Sequence, residues 1–174
     1  MDANYVLLDA ARLLDYIIVA WEKNPEHVCL YRGNAERNMK FTAPYLFTYQ
    51  RDSEFAQWLD EHGKQNFWAV FIKADVDLET LRHHFRKFIL VQTEDGKEVY
   101  FRFYDARVLR YFLPTCNAEQ LKDLFGRVDT YFMDDEQTGN IISYQLQDTV
   151  SGVFSKETSL VMEMEKESLT NQIS

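Results

Sequence analysis

Residues that interrupt regular structure are scarce in this sequence, which has 6 glycines and 3 prolines among 174 residues. Their scarcity argues against a collagenous segment or a long disordered linker. The 2 cysteines, Cys29 and Cys116, each lie in an apolar run, so we expect both to be reduced thiols. No apolar run approaches the ~20 residues of a membrane-spanning helix, and no basic stretch accompanies Asp2 at the start. We therefore expect a cytoplasmic protein with no signal peptide and no membrane partner.

Positive charge is also in short supply, because 28 acidic residues outnumber 19 lysines and arginines and leave a net charge of −9. A chain this acidic is not attracted to nucleic acid, so we expect no nucleic-acid partner. Apolar residues make up 46% of the chain and aromatic residues 15%, which is enough for a packed core. The length fits one compact domain, predicted over residues 1–148, with a short C-terminal extension over residues 149–174.

The most distinctive stretch is residues 99–114, which contains six aromatic residues and three arginines. Its first half alternates as a strand does, whereas the apolar residues after Asp105 follow helical spacing. Asp105 lies at this strand-to-helix switch, where its carboxylate can accept hydrogen bonds from the first N–H groups of the helix. We interpret Asp105 as the structural switch residue and expect Pro114 to end the helix.

A β-hairpin is predicted just before this stretch, because Asp95 and Gly96 separate two strand-like runs. A two-residue turn requires a positive φ at Gly96, which we therefore assign as a structural residue. In this register Leu90 faces Phe101.

The remaining apolar patterns predict strands alternating with helices. Strands are predicted near residues 4–10, 28–31, 43–49 and 67–72, with a final pair near 128–133 and 140–147. Helices are predicted over residues 11–23, between 53 and 63, between 77 and 88, between 117 and 126, and as a loose helix after residue 148. This order predicts an α/β fold with a mixed β-sheet and flanking helices, in which the early helices permit parallel crossovers. Pro44 favours an edge position for its strand.

The adjacent histidines His83 and His84 are the strongest candidates for catalysis, but their spacing does not favour a metal-binding site. Neighbouring residues on a helix point about 100° apart, whereas a helical metal site needs ligands four residues apart. No cysteine or carboxylate joins them at ligand spacing, and the sequence has no glycine-rich phosphate loop. We therefore expect no metal and no cofactor, and a small enzyme using His83 or His84 remains the less favoured alternative.

Five short blocks, in this order, resemble the adaptor or effector-chaperone family of bacterial type VI secretion. They are residues 5–11, 30–33, 43–46, 95–96 and 101–105. The last block, Phe-Arg-Phe-Tyr-Asp, is the most specific. The resemblance covers about residues 5–136 and implies a protein that is not an enzyme. It implies two partners, the VgrG spike protein and a cognate toxin effector, with the adaptor loading the effector onto the spike before secretion.

The resemblance has two departures. The family pattern usually has Asp-Pro-Arg after the strand, whereas this chain has Asp105, Ala106 and Arg107. Alanine favours a helix, so we expect the turn to be kept. Many members also have a longer C-terminal region that is thought to help grip the effector. Here about forty residues follow the family-like part.

Aromatic and arginine side chains around the switch are the candidate partner-binding residues, because Tyr and Arg dominate binding hot spots. They are Tyr100, Arg102, Tyr104, Arg107 and Arg110. We expect Arg107 and Arg110 to lie on an exposed helix face. The alternative for Arg102 is an internal ion pair with Asp105 that stabilises the bend. An immunity protein that neutralises a toxin would also fit a small, acidic, aromatic-rich domain.

Overall fold

The computed structural model describes residues 1–63, 66–93, 95–135, 139–151 and 155–165. The strands are β1 (Tyr5–Asp9), β2 (His27–Cys29), β3 (Pro44–Thr48), β4 (Ala69–Lys73), β5 (Leu90–Gln92), β6 (Glu98–Tyr100), β7 (Thr130–Asp134), β8 (Ile141–Ser151) and β9 (Ser155–Glu165). The helices are α1 (Ala10–Leu13), α2 (Tyr16–Lys23), α3 (Gly33–Asn38), α4 (Glu54–Gly63), α5 (Leu78–Arg86), α6 (Ala106–Phe112) and α7 (Ala118–Phe125). A 3-10 turn, Leu113–Thr115, follows α6. The predicted α/β fold is confirmed.

Seven strands form one sheet in the order β2-β3-β1-β4-β7-β8-β9, and β5 pairs with β6 separately. Every pairing among the described strands is antiparallel, so the parallel crossovers that the early helices would permit are not used by these strands. The helices between the early strands instead return the chain to antiparallel neighbours. The strand of Pro44 is not at an edge, because it lies between β2 and β1. Pro44 is tolerated there as the first residue of the strand, where few ladder bonds depend on its nitrogen.

The core forms around β1, all five residues of which are buried. β1 pairs with β3 on one side and β4 on the other, and Val6, Leu7 and Leu8 are completely inaccessible to solvent. A strand with both faces covered has apolar residues in succession rather than in alternation. Each of these three side chains stabilises the fold by about 2 kcal/mol through the removal of apolar surface from water.

The predicted continuous helix over residues 11–23 is divided into α1 and α2 by Leu14. Leu14 has a positive φ of 53°, which is unfavourable for a side chain with a β-carbon, and 71% of its surface is exposed. Leu13 and Ile17 are buried, whereas Ile18 is exposed, so only part of the predicted apolar stripe contacts the core.

The β5–β6 hairpin has a different register from the predicted one. Leu90 pairs with Tyr100, not with Phe101, and the N–H of Thr93 donates to the carbonyl of Lys97 at 2.9 Å. The loop between the paired residues Thr93 and Lys97 therefore has three positions, whereas the predicted loop has two. Gly96 has the expected positive φ, 79°, which suits the last position of a three-residue hairpin loop.

The segment after residue 148 also differs from the prediction of a loose helix. β8 continues through this point to Ser151, and β9 pairs antiparallel with it from Ser155 to Glu165. The alternating polar and apolar pattern of Leu160, Met162 and Met164 is therefore that of a strand. The division between residues 1–148 and 149–174 stays a prediction.

We expect Gly126→Ala to lower the free energy of unfolding by about 2 kcal/mol. Gly126 has a positive φ of 37°, and a β-carbon there would lie 2.6 Å from Cε1 of His84. His84 cannot easily move, because it is buried and its Nε2 is 2.9 Å from the carbonyl oxygen of Leu124. The backbone strain costs about 1 kcal/mol and the displaced ring about as much again.

Gly96→Ala is the matched control, because Gly96 also has a positive φ but no atom lies within 4 Å of the place that its β-carbon would occupy. It should lose only about 1 kcal/mol. Urea denaturation of both variants measures the difference. Equal losses would mean that the His84 ring does not restrict position 126.

Candidate functional site

The strand-to-helix switch is present, with β6 ending at Tyr100 and α6 beginning at Ala106. Asp105 is the N-cap residue, as predicted, and its Oδ1 accepts a hydrogen bond from the N–H of Arg107 at 3.0 Å. The side chain of Arg107 also donates from Nε to Oδ1 at 3.1 Å and from a terminal nitrogen to Oδ2 at 2.8 Å. One carboxylate therefore caps α6 and holds the arginine two residues further along.

Asp105 is almost completely buried, with 1% of its surface exposed. Burial acts to raise the pKa of Asp105, but the hydrogen bonds and charge of Arg107 outweigh it and hold the pKa below its usual value. The carboxylate is consequently charged at neutral pH. It accepts hydrogen bonds from Arg107 and also attracts the guanidinium of Arg102, which lies 3.9 Å away.

Arg102 connects the switch to the N-terminal strand. It forms an ion pair with Asp9 at the end of β1, and its guanidinium also lies 3.9 Å from Asp105. Asp9 in turn caps α1 through a 3.0 Å hydrogen bond from the N–H of Ala11. Burial raises the pKa of Asp9, and the hydrogen bond and charge of Arg102 offset only part of this effect. The predicted internal ion pair of Arg102 thus has Asp9 as its closer partner.

Two of the predicted partner-binding residues are buried. Tyr104 is 3% exposed, and burial, together with the neighbouring hydroxyl of Tyr31, raises its pKa. Arg110 is 8% exposed and donates to Oδ1 of Asp135 at 2.7 Å, which joins α6 to the end of β7. The expectation that Arg110 lies on an exposed helix face is therefore wrong. Its helix packs against the sheet, and the guanidinium is directed to a carboxylate that is distant in sequence.

Three predicted residues remain accessible. Tyr100 is 50% exposed, and the side chains of Arg102 and Arg107 are each 43% exposed. The structure does not bring all of them onto one surface. Tyr100 lines a groove with Tyr31 and α5, whereas Arg107 lies on the outer surface of α6.

The outer surface of α6 includes residues that the sequence pattern did not single out. We define the α6 face as Arg107, Val108, Tyr111, Phe112 and Thr115, which together line a shallow depression. Tyr111 is 64% exposed and Val108 is 37% exposed, so an aromatic and an aliphatic side chain lie next to an arginine. Helical spacing placed Val108 with the core residues Leu109 and Leu113, because hydrophobicity alone does not separate core from interface. The sequence feature that could have indicated a binding surface here is the adjacent pair of an arginine and a tyrosine, Arg110 and Tyr111, since these two residue types dominate binding hot spots.

The two histidines have different surroundings. His84 is buried between Phe85 and Phe88, and burial lowers its pKa. His83 is exposed, and its Nδ1 is 2.8 Å from the carbonyl oxygen of Glu79 on its own helix. Within the part of the chain that the structure describes, no group of three or more potential metal ligands is found.

The model of one protein family, the domain of unknown function DUF4123, matches residues 4–123. The chain belongs to the DUF4123 family. This family is linked to effector adaptors of type VI secretion. The match includes the switch, Asp9 and all of α6. Neither the curated proteins nor the solved structures give a match to this chain. Among the described residues, no helix has both the length and the apolar character to cross a bilayer.

Proposed function

We propose that this protein is a non-catalytic adaptor that acts in the bacterial cytoplasm and loads a toxin effector onto the VgrG spike protein of a type VI secretion system. The observation that carries the proposal is the DUF4123 match over residues 4–123, since this family is linked to such adaptors. An adaptor acts by binding, so its function requires surfaces for partners and no reacting group.

The α6 face is the proposed docking surface for the spike, together with the neighbouring guanidinium of Arg102. Tyr111, Val108 and Arg107 combine apolar contact area with hydrogen-bond donors, which is typical of binding hot spots. The charge network beneath supports this surface, because Asp105 orients Arg107 through two hydrogen bonds. A side chain that is already held in place loses less conformational entropy when a partner binds.

Replacement of Tyr111 by alanine tests the proposal. The variant should stay folded, because the ring is 64% exposed and Arg110 keeps its bond to Asp135, although the hydrogen bond from Arg110 to the Tyr111 hydroxyl is lost. Its affinity for the spike should fall about thirtyfold, which corresponds to about 2 kcal/mol. The measurement is titration calorimetry of the purified protein against the spike encoded by the same bacterium. Capture of the effector on the spike, with and without the adaptor, tests loading directly.

Phe41→Ala is the matched control, because Phe41 is 47% exposed and contacts Trp21 rather than α6. It should leave spike binding unchanged. If wild-type protein binds neither spike nor effector, the adaptor function is wrong. If Tyr111→Ala binds the spike as wild type does, the docking surface lies elsewhere.

A further inference from the structure

A second surface of the protein is a groove between α5, the β5–β6 hairpin and the chain that follows β2. Its volume is about 530 Å³. We call it the α5 groove and define it by its lining residues: Leu30, Tyr31, Arg32, Ala35, His83, Arg86, Lys87, Ile89, Leu90 and Tyr100. None of these residues belongs to the α6 face, so the two surfaces can be occupied independently.

The α5 groove concentrates positive charge in an acidic protein. Arg32, Arg86 and Lys87 line it, whereas no aspartate or glutamate does, although the chain carries a net charge of −9. Burial, followed by the charges of Arg82 and Arg32, lowers the pKa of Arg86, as expected where cations crowd together. A group of cations such as this one attracts an anionic partner more strongly than other parts of the same protein's surface do.

Two nearby carboxylates outside the groove lining, those of Glu36 and Glu79, offset only part of this charge. Glu36 lies 3.9 Å from Arg82, and Glu79 lies 3.2 Å from the same guanidinium, so both are shared with an arginine outside the groove lining. Arg32 and Lys87 form no ion pair with any residue that the structure describes. These two cations are available to a partner.

The base of the α5 groove is rigid, because Arg86 is held by the backbone. Its Nε donates to the carbonyl of Leu30 at 3.0 Å, and a terminal nitrogen donates to the carbonyls of Cys29 and Tyr31 at 3.3 and 2.9 Å. These bonds satisfy the carbonyl groups where β2 ends and fix α5 against that segment. Binding in the groove would therefore require little reorganisation.

The wall formed by the hairpin is apolar and exposed. Leu90 is 49% exposed and Tyr100 is 50% exposed, and the ring of Tyr100 lies 5.6 Å from that of Tyr31. Leu90 and Tyr100 are paired across the hairpin, so their side chains share one face of it. A compact inorganic anion would use the cations but leave this wall uncovered. An extended peptide with apolar side chains would cover both.

We propose that the α5 groove binds a segment of a partner protein in which acidic residues alternate with or adjoin large apolar residues. The carboxylates face Arg32 and Lys87, and the apolar side chains pack against Leu90 and Tyr100. The positive charge of the groove favours an acidic segment, because a basic segment would place like charges across the interface, which is strongly unfavourable.

The test is selection of peptides from a displayed random library on the purified protein, followed by fluorescence polarisation with the selected peptides. We expect enrichment of peptides with Asp or Glu next to Leu, Phe or Tyr. Arg32→Glu with Lys87→Glu should weaken their binding at least about tenfold. Leu90→Ser should weaken it as well, because the apolar wall contributes area. Arg32→Gln with Lys87→Gln provides a milder variant if charge reversal reduces stability.

Arg37→Glu with Lys40→Glu is the matched control, since it changes the net charge equally at two exposed residues outside the α5 groove. It should leave binding nearly unchanged. No enrichment of acidic-apolar peptides would overturn the proposal and would favour a groove covered by a second copy of the chain or by a small anion. Equal weakening by both double variants would also overturn it, because binding would then follow net charge alone. The selection uses neither spike nor effector, so its outcome is independent of the adaptor function.

Discussion

Replacement of Arg110 by methionine is expected to lower the free energy of unfolding by about 4 kcal/mol, the largest effect that we predict for a single substitution. The side chains of Arg110 and Asp135 are 9% and 10% exposed, and 2.7 Å separates the donor nitrogen from the carboxylate oxygen. Methionine keeps most of the volume but removes the charge. Asp135 would then remain buried, and this ion pair would no longer offset the cost of its lost hydration.

A double-mutant cycle with Asp135→Asn isolates this interaction. We expect Arg110→Met combined with Asp135→Asn to be more stable than Arg110→Met alone, because the double variant no longer buries a carboxylate that has lost this guanidinium. The measurement is urea denaturation of the four proteins at neutral pH. Strictly additive losses would show that Arg110 and Asp135 do not stabilise each other.

Asp105→Ala is expected to lower the free energy of unfolding by about 3 kcal/mol. The substitution removes the N-cap of α6, which contributes about 1 kcal/mol, and the buried carboxylate that accepts from Arg107, which contributes about 2 kcal/mol. The loss should be greater than that of Asp77→Ala. Asp77 caps α5 through Thr80, but it is exposed and holds no arginine.

The stabilisation by Asp105 should depend on pH. The pKa of Asp105 is below its usual value in the folded protein, so its contribution is fully present above the ordinary carboxyl pKa of about 4. It is lost as the pH falls through the lowered pKa. Denaturation curves of wild type and Asp105→Ala should therefore converge at acidic pH. A constant difference in stability over the whole acidic range would contradict the ion pair with Arg107.

Local chemistry could be predicted from the sequence around the switch. An aspartate before a run of helical apolar spacing predicts an N-cap, and Asp105 is one. A glycine after an aspartate between two strand-like runs predicts a turn with positive φ, and Gly96 has one. Both features depend on interactions within a few residues, which the order of residues determines directly.

The hairpin register depends on more than the neighbouring sequence. Two-residue and three-residue loops both place Gly96 at a positive φ, but they shift the partner of Leu90 by one residue. The choice depends on side-chain packing against the rest of the domain. The ring of Phe101 contacts that of Phe112 on α6 at a centroid distance of 4.5 Å, while the backbone N–H of Phe101 donates to the carbonyl of Ile89 at 3.1 Å.

The candidate site also has some features that the sequence determines and others that depend on the tertiary structure. The sequence by itself determined that arginines and tyrosines cluster around Asp105, and that the chain has an α/β fold with enough apolar residues for a core. Only the tertiary structure decided that Arg102 meets Asp9, which is 93 residues away, and that Arg110 meets Asp135, which is 25 residues away. An arginine is long enough to reach several carboxylates, and its partner is the one that the packing of helix on sheet brings into a poorly hydrated position. The same packing left Tyr111 in solvent and buried Tyr104, two residues that hydrophobicity does not distinguish.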